Sequence, residues 1–168
     1  MDFIACDIVI PGKIVRFLDQ FANVAFAGTR DRDLVPFGHR LCGWRVGVDQ
    51  RTMTILFPDE FVPRFLESLQ QSGELAVTIE EFPSHETYQF KGHYLRHRQV
   101  LHGDVEIVDR IRQRFVKSMR TILADRPEDV LKAFVSPPAL AIDFEVFEIF
   151  LQTPGPGAGT RLIPAIER

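Results

Sequence analysis

The segment "FGHRLCG", Phe37–Gly43, gathers groups that can serve a ligand. Gly38 and Gly43 carry no Cβ, so another group can approach the main chain closely there. Arg40 between them is a fixed cation whose planar fork matches a carboxylate or a phosphate. A glycine-broken edge strand with a surface arginine is the other reading of the same residues. A second stretch, "ILFPDEFVPRFLESL" (Ile55–Leu69), passes from a strand end at Phe57 into a helix. A helix N-terminus favours an anion, and Arg64 is a cation in the first turns. Asp59 and Glu60 bring two negative charges to the same place, so an ordinary capped helix with a solvated Arg64 stands beside the anion site. In "ETYQFKG" (Glu86–Gly92), Thr87, Gln89 and Lys91 alternate onto one strand face. Gln152 and Thr153 open a loop rich in glycine and proline, where hydrogen-bonding side chains on a rigid frame could meet a ligand.

Other chemistries find less support. His93 and His97 would lie about 13 Å apart along one strand, at ~3.3 Å per residue, too far to share a metal. No metal site is expected. Cys6 and Cys42 are distant, without CxxC spacing, and read as reduced thiols of a cytoplasmic protein. No Ser-His-Asp or Cys-His arrangement is recognisable. Arg110, Arg114 and Lys117 share a helical face, but without the interleaved aromatics of single-stranded nucleic-acid sites. The net charge of −3 also argues against nucleic acid as a partner. The N-terminus does not read as a signal peptide, and no run approaches the ~20 apolar residues of a membrane span.

The elements that must position these residues follow from periodicity. A length of 168 residues suits one domain, 1–168. A short helix is expected over Lys13–Phe21, and strands over Val24–Thr29, Leu34–Val48 (broken by Pro36, Gly38, Gly43 and Gly47) and Thr52–Phe57. Asp59 would cap a helix Glu60–Ser72 whose stripe is Phe61, Phe65, Leu66 and Leu69. Leu75, Val77 and Ile79 face one way on a strand Glu74–Ile79, and a long strand Thr87–Arg98 contains Gly92. Asp104 would cap a second helix to about Ala124, with Val108, Ile111, Phe115 and Met119 inward. Asp129–Val135 could add a helical turn, and Ala139–Gln152 alternates as the strongest strand. The short turns at Arg30–Asp33 and Asp49–Arg51 exclude parallel crossovers. A mainly β (α+β) fold is therefore expected, an antiparallel barrel with flanking helices. Fifteen Phe against two Tyr and one Trp point to a large aromatic core, or to a core plus a buried interface.

Strand, strand, strand, helix, strand, strand at this spacing, together with the three segments above, resembles the FMN-binding split barrel of the pyridoxamine 5'-phosphate oxidase-like family. The resemblance covers roughly Phe21–Leu95 and Ala139–Gly159, and makes the helical region at about 103–135 an insertion. It implies a flavin held in a groove between two subunits, hence a homodimer. It places Gly38, His39, Arg40 and Leu41 beside the ring and ribityl chain. Phe57 and Arg64 fall at the phosphate, Thr87 and Gln89 on the ring and phosphate side, and Gln152 in a closing loop. Arg40 and Arg64 would both face the groove. The chain departs from the pattern in lacking a hydroxyl residue at the strand end and in offering a lone Arg64 behind Pro63. The Arg-x-His tail motif of the true oxidases is absent from "RLIPAIER", which argues against the vitamin B6 reaction. An FMN-dependent oxidoreductase of unknown substrate is the expectation. The alternative is a non-catalytic protein of the same fold holding flavin or haem.

Overall fold

The computed structural model describes residues 8–58, 62–123 and 136–163. In chain order the elements are α1 (Gly12–Gln20), β1 (Val24–Arg30), β2 (Pro36–Arg40), β3 (Gly43–Val46), β4 (Thr52–Pro58), α2 (Val62–Ser72), β5 (Glu74–Glu80), β6 (Thr87–Gln99), α3 (His102–Ile122), β7 (Pro138–Leu151) and β8 (Arg161–Ile163). The expected helix cap Asp59, the first helical residues Glu60 and Phe61, the turn at Asp129–Val135 and Cys6 lie outside the described residues.

Burial alternates with period two on β1 and β5, whereas Met53–Phe57 of β4 and Ala141–Phe144 of β7 are buried at every position. On β5, Leu75, Val77 and Ile79 are buried; on β7, Ile142, Phe144 and Val146 are. All pairings are antiparallel, in the order β2-β1-β5-β6-β7-β4-β3 with β8 added to β7. The expected single run Leu34–Val48 is two strands, one at each end of that order. Two adjacent amides join them: Leu41 N donates to Ala25 O in β1 at 2.8 Å, and Cys42 N to Leu56 O in β4 at 3.0 Å. Neighbouring residues can bond to β1 and β4 only if the sheet curls until its ends meet, so Leu41–Cys42 closes a split barrel.

The interior is aromatic. Phe57, Phe65, Phe90 and Phe144 are fully buried, and Phe57 and Phe65 pack with centroids 4.4 Å apart. A Cβ on Gly92 would overlap the Phe144 ring and the carbonyl oxygen of Glu145, which explains a glycine inside a long strand. From α1, Phe17 meets Tyr88 edge-on at 5.0 Å, and the Trp44 indole N–H donates to Leu18 O.

α3 begins earlier than its sequence pattern suggests. Asp104 is not the cap but lies in the first turn, where its carboxylate accepts the Leu101 amide at 2.8 Å and both outer nitrogens of Arg98. The expected inward stripe is present, with Ile111, Phe115 and Met119 buried. The helix approaches β3 at Gly43, where a Cβ would stand only 3.0 Å from Val108 Cγ2 and from Leu56 Cδ1. Arg114, on the face it shares with Arg110 and Lys117, reaches the Asp19 carbonyl oxygen. No helix among the described residues is long and apolar enough to cross a membrane.

Candidate functional site

The cross-strand register sorts the chemistry-bearing residues into rows on the outward side of the sheet. One row runs Gly38, Gly28, Ala76, Lys91, Glu148 across β2, β1, β5, β6 and β7. The next runs Arg40, Phe26, Thr78, Gln89, Phe150 and Arg161. The first three positions of the first row carry no side chain beyond a methyl, so a flat ligand could lie against bare main chain there. From β2 to β5 the strip spans two strand spacings, about 10 Å at ~4.8 Å each. Over it opens a cleft of about 470 Å³ lined by Gly28, Arg30, Gly38, Ala76, Lys91 and Phe147, among others. That size lies within the ~300–1,000 Å³ usual for ligand sites.

The polar groups around the strip are anchored. Glu148 is buried and accepts Lys91 Nζ at 3.4 Å and Arg161 Nη2 at 2.8 Å. Both cations also stand over the Phe150 ring, at 4.6 and 5.6 Å from its centroid. Gln89 Nε2 donates to Thr78 Oγ1 at 3.2 Å. Phe26, 51% exposed, is the large apolar side chain this face leaves uncovered between Arg40 and Thr78.

The nine residues expected at the site are only partly brought together. Gly38 and Gln89 share the outward face. Arg40 starts from it, but its guanidinium turns under α3 and lies 5.3 Å from the Phe115 centroid. His39 has the opposite strand parity, beside Ala27, and its Nδ1 lies 2.7 Å from Arg40 O. Leu41 is a core residue whose amide closes the barrel. Phe57 is fully buried, so only its main chain is available to a ligand. Thr87 is buried, its hydroxyl donates to His85 O, and its amide donates to Thr153 Oγ1. Gln152 N donates to Thr87 O, so this loop start is tied to β6. Arg64 lies over the Phe37 ring at 5.0 Å and lines a separate cavity of about 120 Å³ with Asp31, Pro36, Ser68 and Gln71.

Arg40 and Arg64 therefore do not face one groove, contrary to expectation: they stand near opposite ends of β2. The cavity holding Arg64 shares Pro36 and Phe37 with the cleft, and Arg30, on the cleft side, pairs directly with Pro36. The sequence reading missed Gly28, Arg30, Phe26 and Phe147. Gly28 and Phe26 alternate with buried Ala25 and Ala27, a signal that was available. Arg30 reads in sequence as part of a turn, and Phe147 reaches the face through a register shift opposite Lys91 and Gly92.

A second cavity, about 170 Å³, lies between α3 and the β2–β3 junction. Cys42 lines it; its thiol donates to Leu56 O, and burial pushes its pKa up to about 12. It is therefore a neutral thiol at physiological pH, not a nucleophile. Among the described residues no three His, Cys, Asp or Glu side chains are grouped to hold a metal. His93 and His97 are separated by a strand irregularity between Tyr94 and Arg96.

No family model matches the chain, and no curated protein matches it. Solved structures do. HupZ of Group A Streptococcus superposes with a TM-score of 0.53 at 14% identity, covering 90% of this chain and 100% of that one. A candidate pyridoxamine 5'-phosphate oxidase from Lactobacillus delbrueckii gives 0.51 at 14% identity, covering 84% and 93%. The fold is the pyridoxamine 5'-phosphate oxidase-like split barrel. At these identities the likeness fixes the architecture; chemistry must come from this chain's own residues.

Proposed function

We propose that this chain is a single-domain, cytoplasmic FMN-binding protein that works as a homodimer and serves as an oxidoreductase. The observation that carries the reading is the bare strip Gly38–Gly28–Ala76 inside a cleft of about 470 Å³, with Gln89, Lys91 and Arg30 around it. A flavin ring needs a flat wall; the strip offers one. Its polar edge needs donors and acceptors, which the Gly38 main chain and the Gln89 amide can supply. The open side of the cleft calls for a cover, and a second copy brought against Phe26, Phe147 and Phe150 would supply it while burying those rings. Gln152, at the end of β7, would close the ring side through its side chain, and His39, Leu41, Phe57 and Thr87 would contribute main chain or support.

The phosphate would lie at the Pro36 edge, between Arg30 and Arg64. Arg40 then contributes its main chain to the wall. Bound flavin would supply hydride or electron transfer; the protein's part is to hold the ring, exclude water and present donors along its edge. Exchanging both Arg30 and Arg64 for alanine should weaken FMN about ten- to a hundredfold, as expected for lost charge-assisted hydrogen bonds. Riboflavin, lacking the phosphate, should lose far less. Fluorescence titration of both ligands checks this. Equal losses would mean damage to the fold, not a phosphate contact.

A non-catalytic haem-binding role has one observation in its favour. His93 stacks on Phe147, a wall of the cleft, with ring centroids 4.4 Å apart. A Soret band on haem addition that disappears in His93→Ala would move the reading there.

A further inference from the structure

Toward the β3 end of the sheet, a polar row crosses the outward side: Arg45, Thr54, Asp143 and Arg96 on β3, β4, β7 and β6. Thr54 Oγ1 donates to Asp143 Oδ1 at 2.7 Å and accepts Arg45 Nε at 3.3 Å. Asp143 Oδ2 accepts Arg96 Nε at 2.8 Å. Thr54 and Asp143 are buried, whereas both arginines are exposed, the Arg96 side chain to 74%. A strand irregularity completes the row. The register shifts between Tyr94 and Arg96, so Leu95 is passed over and Arg96 stands opposite Asp143. Such bulges re-aim a side chain and gather near functional sites. The fold does not require the buried carboxylate, since well-packed apolar residues often replace a buried ion pair without loss.

We infer that Arg45 and Arg96 form a two-pronged site for a diphosphate, each fork taking one phosphoryl group. Each guanidinium is held through its Nε, and no described residue makes a hydrogen bond or ion pair with the outer nitrogens of either. A fork fixed in this way presents two parallel N–H donors to phosphate oxygens. The two side chains lean toward each other and are anchored on the neighbouring strands β4 and β7. That sets the anchors about one strand spacing apart, ~4.8 Å, a span two linked phosphoryl groups can bridge. One exposed arginine pair contributes little, so an anion that engages both forks at once is favoured. Arg98, two positions from Arg96, is already bound to Asp104. Glu145, in the neighbouring row opposite Thr52 and His93, opposes the anion. The site does not require flavin and stands whether or not the cleft binds one.

Inorganic diphosphate is the probe, with orthophosphate as its single-group counterpart, titrated calorimetrically into the full chain without flavin or divalent cations. Saturable diphosphate binding is expected, with orthophosphate at least about fivefold weaker. Arg45→Gln leaves the Arg96–Asp143 pair intact and should weaken diphosphate at least about fivefold, and Arg96→Gln should do the same. Glu145→Gln should strengthen it, up to about fivefold. Exchanging Arg30 and Arg64 for alanine should leave this site intact, which separates it from the one proposed for the flavin phosphate. Adenosine diphosphate tells the sources apart: equal affinity marks free diphosphate as the guest, and tighter binding marks a nucleoside diphosphate. Absence of saturable diphosphate binding to the wild type overturns the inference. So does orthophosphate that binds as tightly, or diphosphate binding that survives both arginine exchanges and is lost with Arg30 and Arg64 instead.

Discussion

Asp104→Ala should cost about 3–5 kcal/mol of folding stability, as expected when one partner of a buried ion pair is removed. Asp104 is 1% exposed and Arg98 20%. The carboxylate takes Arg98 Nη1 at 2.6 Å, Arg98 Nη2 at 3.1 Å and the Leu101 amide at 2.8 Å. It thereby fastens the end of β6 to the first turn of α3, and removing it leaves a guanidinium and a helix-start amide without those bonds. The same group predicts a pH effect. Burial alone would raise the Asp104 pKa, but the Arg98 and Leu101 hydrogen bonds and the charges of Arg98 and Arg45 outweigh it and hold it below the ordinary value. A depressed native pKa contributes stability that is fully present above the unfolded value near ~3.9. That stability is lost as pH falls through the native value. Urea unfolding of the wild type should weaken steadily below pH ~4, and Asp104→Asn, which keeps the shape without the charge, should show a smaller slope there. A cost under about 1 kcal/mol for Asp104→Ala would mean that the pair is dispensable.

Phe115→Ala should cost about 3–5 kcal/mol, the range for a buried phenylalanine cut to alanine. Its ring is 5% exposed, meets Phe82 edge-on at 6.5 Å and lies under the Arg40 guanidinium. Truncation would remove the contact between α3, the β5–β6 turn and the end of β2 together. Val105 and Ile122, at 40% and 50% exposed on the same helix, should each cost under about 1 kcal/mol as alanine. Chemical denaturation of the three variants checks the contrast. Equal costs would show that the helix does not use its Ile111–Phe115–Met119 stripe to pack.

Two strands were legible from apolar residues at period two: Leu75, Val77 and Ile79 on β5, and Ile142, Phe144 and Val146 on β7. The break between β2 and β3 was not, because proline and glycine across Leu34–Val48 read as one irregular strand. The bonds that close the barrel are main-chain bonds from Leu41 and Cys42, to which side-chain patterns are blind. β8 has three residues and exists by pairing with β7, a tertiary effect. In the candidate site, parity placed Gln89 and Lys91 on one face. The row that aligns Gly38, Gly28 and Ala76 depends on the β1–β2 hairpin and on the long-range pairing of β1 with β5, which composition does not encode. The Arg40 guanidinium lies over Phe115, on a helix that begins more than sixty positions later, a contact that the local sequence does not encode. The burial of the Phe57 ring against Phe65, across the turn into α2, is a tertiary contact that no local pattern encodes.

The most direct test is to incubate the purified chain with FMN, pass it over a sizing column with light scattering, and record the absorbance of the protein peak. The account predicts a dimer mass and an oxidised-flavin spectrum at one flavin per chain, with the flavin lost when Gly38→Arg fills the strip. A folded wild-type protein that elutes as a monomer with no flavin absorbance would contradict it.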